Sequence, residues 1–158
     1  MSLNLRSWPG PRLASVPEQN ELARLVDHVM LIWSDLFGAR TASEAATCMG
    51  WRTKRRALAE GGSSIRSLLI PMLGGGFSIV VNDEHCPSDD EVEWLVAHEF
   101  AHSLFYTGRE PPCRIVAHTP QEEVFCDRFA DCVTAPLQPR PNHAHEGPRP
   151  AIPGSASV

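Results

Sequence analysis

The sequence predicts an α+β fold in which several helices pack on a small antiparallel sheet. Three observations predict it. Apolar residues recur at helical spacing over Glu18 to Phe37, two short runs of branched apolar residues flank Gly74-Gly75-Gly76, and two helix-start signals each precede a long stretch in the second half. A chain of 158 residues, 42% of them hydrophobic, is one domain's worth of length with enough apolar surface for a core.

Residues 1–17 hold Pro9, Pro11 and Pro17 with little periodicity and read as a loose leader. From Glu18 to Phe37, Leu22, Leu25, Val26, Val29, Met30, Trp33 and Phe37 form one apolar stripe, so this segment is a helix that buries one face. Ser43 to Met49 reads as a second helix, and Trp51 to Ala59 as a third ended by Gly61-Gly62. The basic run Arg52, Lys54, Arg55 and Arg56 is then a solvated helix face. Ile65 to Pro71 and Phe77 to Val81 read as a hairpin with a glycine loop. Ser88 with Glu91, and Thr119 with Glu122, are capping boxes, the second with Pro120 at the first helical position. The first opens a helix to about Tyr106 or Thr107 with Gly108 as its stop, the second a helix that ends before Pro136. The domain therefore spans 18–136. Residues 137–158, rich in proline and poor in large apolar residues, are expected to be disordered.

The bulk properties exclude several classes. Net charge is −5, which is not the footprint of a nucleic-acid binder. No stretch has the length and apolarity to cross a membrane, and Met1 to Pro11 has no apolar core of a signal peptide. Five cysteines at irregular spacings, without CxxC, suit reduced thiols and a cytoplasmic location.

His98-Glu99-Phe100-Ala101-His102 is an HExxH motif. On a helix the two histidines lie on one face a turn apart, where two imidazoles can bind one zinc ion. Glu99 then activates a zinc-bound water and later delivers its proton to a leaving amine. Apolar flanks (Trp94, Leu95, Val96, Phe100, Ala101, Leu104, Phe105) bury this helix, so its ionisable residues need partners. The third ligand lies between Glu122 and Glu123. Glu123 is preferred because the capping box already employs Glu122. Glu123 also pairs with Asp127 four residues on. Glu-x-x-x-Asp after HExxH is an arrangement known in zincins, in which the aspartate accepts from the other ring nitrogen of a ligand histidine, here His98. Three protein ligands leave one position open, as a catalytic zinc requires.

These residues resemble the ImmA/IrrE-type metallopeptidases. Gly75 to Asn82 is similar to the strand before their metal helix, His98 to Phe105 to the metal helix, and Glu123 to Ala130 with Ala135-Pro136 to their E-x-x-A-x-x-F-A segment closing on a proline. Cys126 stands where a small alanine is usual, and there is no length for a fused helix-turn-helix or sensor domain. The resemblance covers about residues 64–136. It implies a zincin-like minimal metallopeptidase domain with one zinc on His98, His102 and Glu123 and with Glu99 as base. The implied substrate is a protein or peptide, often a repressor.

Around this centre, Phe77, Ile79 and Val81 are expected on a sheet edge that pairs with an extended substrate. Tyr106, a turn after His102, is a candidate donor to the oxyanion. His118 is a second candidate, and Arg109 and Arg114 are candidate binders of a substrate carboxylate. Two other functions compete: a regulatory module that binds a protein without hydrolysis, and a zinc hydrolase of a small molecule or natural-product precursor.

Overall fold

The computed structural model describes residues 19–58, 64–85, 88–108, 112–113 and 118–135. The leader 1–17, the tail 137–158, and Arg109 and Arg114 lie outside the described residues.

Helix α1, Gln19–Phe37, buries Leu22, Val26, Val29, Trp33 and Phe37 at steps of three and four, as the periodicity requires. Gly38 ends it at φ +62°, with its N–H on Ser34 O at 2.9 Å. Helix α2, Ala42–Cys48, opens with a full capping box between Thr41 and Glu44 and buries Ala42, Ala45 and Ala46.

The helix expected over Trp51 to Ala59 is instead strand β1, Arg52–Arg56, and all five residues are exposed. β1 runs parallel to β3, Phe77–Asn82, from Arg52 beside Ser78 to Arg56 beside Asn82. β2, Ser67–Pro71, pairs antiparallel with the other side of β3. The sheet is therefore mixed, in the order β1-β3-β2, rather than wholly antiparallel. Tertiary pairing overrides local preference in β1. The wholly buried β3 needs backbone partners on both sides, and Trp51 anchors the new strand in the core, 4.6 Å from Phe100 and 4.9 Å from Phe77. The arginines and lysine stay in solvent on an edge, where charge discourages further pairing.

The expected β2–β3 hairpin forms. Its turn is closed by Met72 N–H to Gly76 O at 3.0 Å, and Gly74, Gly75 and Gly76 all take positive φ, which side-chain-bearing residues rarely adopt. Because β3 is central, Phe77, Ile79 and Val81 do not form a free edge. They are buried, and the edge role passes to β1 and β2.

Helix α3, Asp89–His102, is N-capped by Ser88, whose Oγ accepts from Glu91 N–H. The Glu91 carboxylate is spent on Arg66 rather than on the reciprocal half of the box. The helix stops at His102, earlier than expected, because Ser103 to Tyr106 bond three residues back and tighten the last turn. Helix α4, Pro120–Thr134, packs along α3. The core joins all four helices to the sheet. Phe100 meets Trp33 edge-on at 5.0 Å and Phe37 at 5.9 Å, and Trp33 meets Phe129 of α4 at 5.4 Å. Among the described residues no helix is long and apolar enough to cross a membrane.

Phe100 is fully buried at the centre of this cluster. Phe100→Ala is expected to destabilise the fold by roughly 3–5 kcal/mol, read as a lowered midpoint of denaturant unfolding. A loss within the range of a surface substitution, under about 0.5 kcal/mol, would show that the aromatic cluster does not hold the layers together.

Candidate metal centre

His98 and His102 leave α3 on the face turned toward the first turn of α4, where Glu123 meets them. His98 Nε2 lies 3.0 Å from His102 Nε2 and 3.2 Å from Glu123 Oε2, and His102 Nε2 lies 3.3 Å from Glu123 Oε1. Donors held about 2.0–2.1 Å from a tetrahedral zinc stand roughly 3.3 Å from one another. The three side chains thus present one nitrogen each and a carboxylate at the separations such an ion requires. The histidines are buried and Glu123 is half-exposed, so the set opens on one side only.

The choice between Glu122 and Glu123 is decided by direction. Glu123 faces both histidines, whereas Glu122 Oε2 lies 3.5 Å from His118 Nδ1. The second capping box is accordingly half formed: Thr119 Oγ1 accepts from Glu122 N–H, and the Glu122 carboxylate turns to His118. Asp127 Oδ1 sits 3.0 Å from His98 Nδ1, within ion-pair reach but off the line of a well-directed hydrogen bond. It stands beside the far nitrogen, but the hydrogen bond that would fix a ligand's tautomer is not formed.

Burial sets the protonation of the site. It pushes the His102 ring down to about 2, with repulsion from His118 and His98 added. His102 is therefore neutral, as a metal ligand must be. Burial likewise raises Glu99 to about 7, against the lowering effect of a 2.6 Å hydrogen bond donated by Ser67 Oγ to Oε1, and Glu123 raises it further. The other oxygen, Oε2, is buried without a hydrogen-bond partner among the described residues. One oxygen is thus held by strand β2 and the other is free for a substrate or a water. The buried Cys126 thiol is pushed well above its ordinary range and takes no part as a thiolate.

A cavity of about 310 Å³ runs between β2 and this face of α3, lined by Ser67, Trp94, His98, Glu99, His102 and His118 among others. Two of its walls, Ser67 and Trp94, have no signature in the sequence, and a third, His118, was expected only as a candidate donor. Ser67 is one serine in an apolar strand. Trp94 is one of several apolar residues on the helix, yet it stacks on His98 at 5.3 Å and 28° and donates Nε1–H to Asp131 at 2.8 Å. His118 stacks on His102 at 3.4 Å and 18°. His102, His118 and Glu122 form a second grouping of donors within 4.8 Å. Lone pairs lie in ring planes, so two stacked imidazoles do not converge on one ion, and the grouping with Glu123 fits better.

Two expectations fail here. Tyr106 is not among the residues lining the cavity, because its ring packs edge-on against Phe77 at 5.1 Å after the helix has tightened. Phe77, Ile79 and Val81 are likewise not among them, and the cavity takes its strand wall from 65–69.

No family model matches the chain, and neither a curated protein nor a solved structure matches it.

Two outcomes follow from the geometry. Purified protein supplied with zinc should hold about one ion per chain, and Glu123→Gln should lose it while Glu122→Gln keeps it, as measured by metal analysis. Asp127→Asn should weaken zinc about 10–100-fold. Loss of zinc in Glu122→Gln but not in Glu123→Gln would move the site to the His118 grouping.

The raised Glu99 also makes the stability of the metal-free protein depend on pH. Folded Glu99 keeps its proton to about pH 7, against an ordinary 4.5, so its favourable contribution is full below 4.5 and lost as pH rises through 7. His102 acts in the opposite sense: held near 2 against an ordinary 6.5, it costs stability as pH falls below 6.5. Glu99→Gln removes only the first dependence. The metal-free variant should match wild type near pH 4 and exceed it at pH 8 in urea unfolding, and a constant difference across that range would refute the buried-carboxylate account.

Proposed function

We propose that the chain is a zinc-dependent metallopeptidase of zincin-like fold, related to the ImmA/IrrE-type enzymes, that hydrolyses a peptide bond in a protein or peptide. The observation that carries this reading is the position of Glu99. It is buried, one residue from His98, with one oxygen tied to Ser67 and the other without a partner among the described residues, and it lines the same cavity as His98, His102 and Glu123. A site that only stored a structural ion would have no use for such a carboxylate, and its fourth position would be closed by protein. The resemblance of His98 to Phe105 and of Glu123 to Ala130 to that family supports the same assignment. A cytoplasmic setting, with cysteines reduced, belongs to the same proposal.

Zinc on His98, His102 and Glu123 supplies Lewis acidity, which lowers the pKa of water and polarises a carbonyl. The chain does the rest. Glu99 Oε2 takes a proton from the attacking water as the new C–O bond forms, and gives it to the amine nitrogen as the C–N bond breaks. A carboxylate and an amine leave. Burial raises Glu99 to about 7 in the metal-free protein, and a bound zinc ion would favour its carboxylate form, the state a general base needs. Ser67 holds one oxygen of the Glu99 carboxylate, and Trp94 packs against the ring of His98. Among the described residues β2 has no strand on its outer side and its residues line the cavity, so an extended substrate can add to it as a further strand. At its far end Cys113 N–H bonds to Pro71 O at 2.8 Å.

Zinc-loaded protein incubated with casein or a mixed peptide library should release new amino termini, detected by mass spectrometry. Glu99→Gln should bind zinc normally and lose about 10²–10⁴-fold in rate. Ser67→Ala should lower kcat with little change in KM. Full zinc occupancy with no cleavage of any peptide by wild type would favour the non-catalytic binding module or a small-molecule hydrolase.

A further inference from the structure

A second, larger cavity of about 1220 Å³ lies between the C-terminal half of α1, the turn into α2, the start of α3 and the end of α4. It shares Arg66 and Trp94 with the cavity at the metal centre, so the two meet at those side chains. Asp90, Trp94, His98 and His102 follow one another at four-residue steps along α3 and form one ridge from the larger cavity to the metal ligands. Asp90 to His98 is a rise of about 12 Å. An extended polypeptide covers that distance in about four residues.

The larger cavity favours positive charge. Asp27, Asp90, Glu91 and Glu93 line it against Arg40 and Arg66. These four carboxylates outnumber the two arginines; Arg66 pairs with Glu91, Arg40 donates to Phe37 O at 3.2 Å and keeps its charge, and Asp27 and Asp90 have no ion pair among the described residues. The last turn of α4, Cys132 to Thr134 with Ala135 beyond it, also lines the cavity, and it carries no basic residue to meet the negative end of the helix. The wall includes Met30, Trp33 and Val133, an apolar surface on which the stem of a lysine or arginine can lie. The carboxylates are spread over the cavity, and none belongs to a grouping of donors close enough to chelate an ion, so a metal is not the occupant they suit.

We propose that this cavity is the specificity subsite of the peptidase: it receives a lysine or arginine side chain of the substrate polypeptide about four residues from the bond that is cut. The inference rests on the peptidase reading for its purpose, and its test is a binding measurement that needs neither zinc nor turnover. Fluorescein-labelled nine-residue peptides, one carrying two arginines among alanine and leucine and one with glutamates in their place, are titrated into full-length Glu99→Gln protein by fluorescence anisotropy.

The basic peptide should bind at least tenfold more tightly than the acidic one, and more weakly as salt is raised. Asp27→Asn with Asp90→Asn should remove most of that preference. Cys132→Arg, which puts a cation at the end of α4, should remove it too without lowering the melting temperature. Equal binding of both peptides, or a preference that survives both sets of substitutions in folded protein, overturns the proposal. A preference lost in the variants while zinc-loaded wild type cuts nothing keeps the cavity as a basic-peptide site and sinks the peptidase reading. Cleavage with no preference for basic residues near the cut does the reverse.

Discussion

The structure turns on the burial of α3. From Leu95 to His102 every residue of this helix is covered, by α1 and α2, by the sheet and by α4, so it has no solvated face on which to place His98, Glu99 and His102. Ionisable groups taken out of water are neutralised or partnered. The molecule does both. His102 is neutral, Glu99 holds its proton to about pH 7, and Glu123, Asp127 and Ser67 are brought from two other elements to meet the polar atoms of the three. The arrangement is incomplete: among the described residues Glu99 Oε2 and the Nδ1 atoms of His98 and His102 are buried without a hydrogen-bond partner, a state that costs free energy unless something else is bound there. The cost is of the kind found where a site is poised for a ligand rather than optimised for stability.

That burial also explains the sheet. β3 lies against α3 with all six residues covered, so its two edges must be satisfied by backbone. β2 supplies one through the glycine turn. The other falls to Arg52–Arg56, which has nothing apolar to contribute and is recruited through its backbone and the adjacent Trp51. Arg55 then ties the strand to the start of α3 by bridging Asp83 and Asp89, an exposed pair of contacts that orients more than it stabilises.

This division marks what the sequence reveals. α1, α2 and α4 were legible to within a residue or two, because apolar spacing and capping residues are local signals. The candidate donor set of His98, His102 and Glu123 was legible for the same reason: the histidines lie four apart on one helix, and Glu123 lies in the capped first turn of another. β1 was hidden because its five residues carry no alternation, and only the unsatisfied edge of β3 makes them a strand. The misplacement of the substrate edge on Phe77, Ile79 and Val81 follows directly, since a strand with one partner is an edge and a strand with two is not. Tyr106 lies beyond the end of α3, which was expected to run one turn further. Ser67, Trp94 and His118 act through contacts with residues 32, 4 and 16 positions away in the chain. Of these, His118 was marked as a candidate donor by its place before α4, though its stacking on His102 was not, and the Trp94–His98 spacing was open to inspection, although at that spacing a tryptophan is more often core.

Trp94 is the point at which the two cavities and the metal centre depend on one another. Its ring covers one face of His98, and its Nε1–H holds Asp131 on α4. The same side chain therefore sets the ring plane of a ligand and the separation of α3 from α4 above the larger cavity. Asp90, Trp94, His98 and His102 thus lie along one face of a single helix, with Trp94 packed directly on His98.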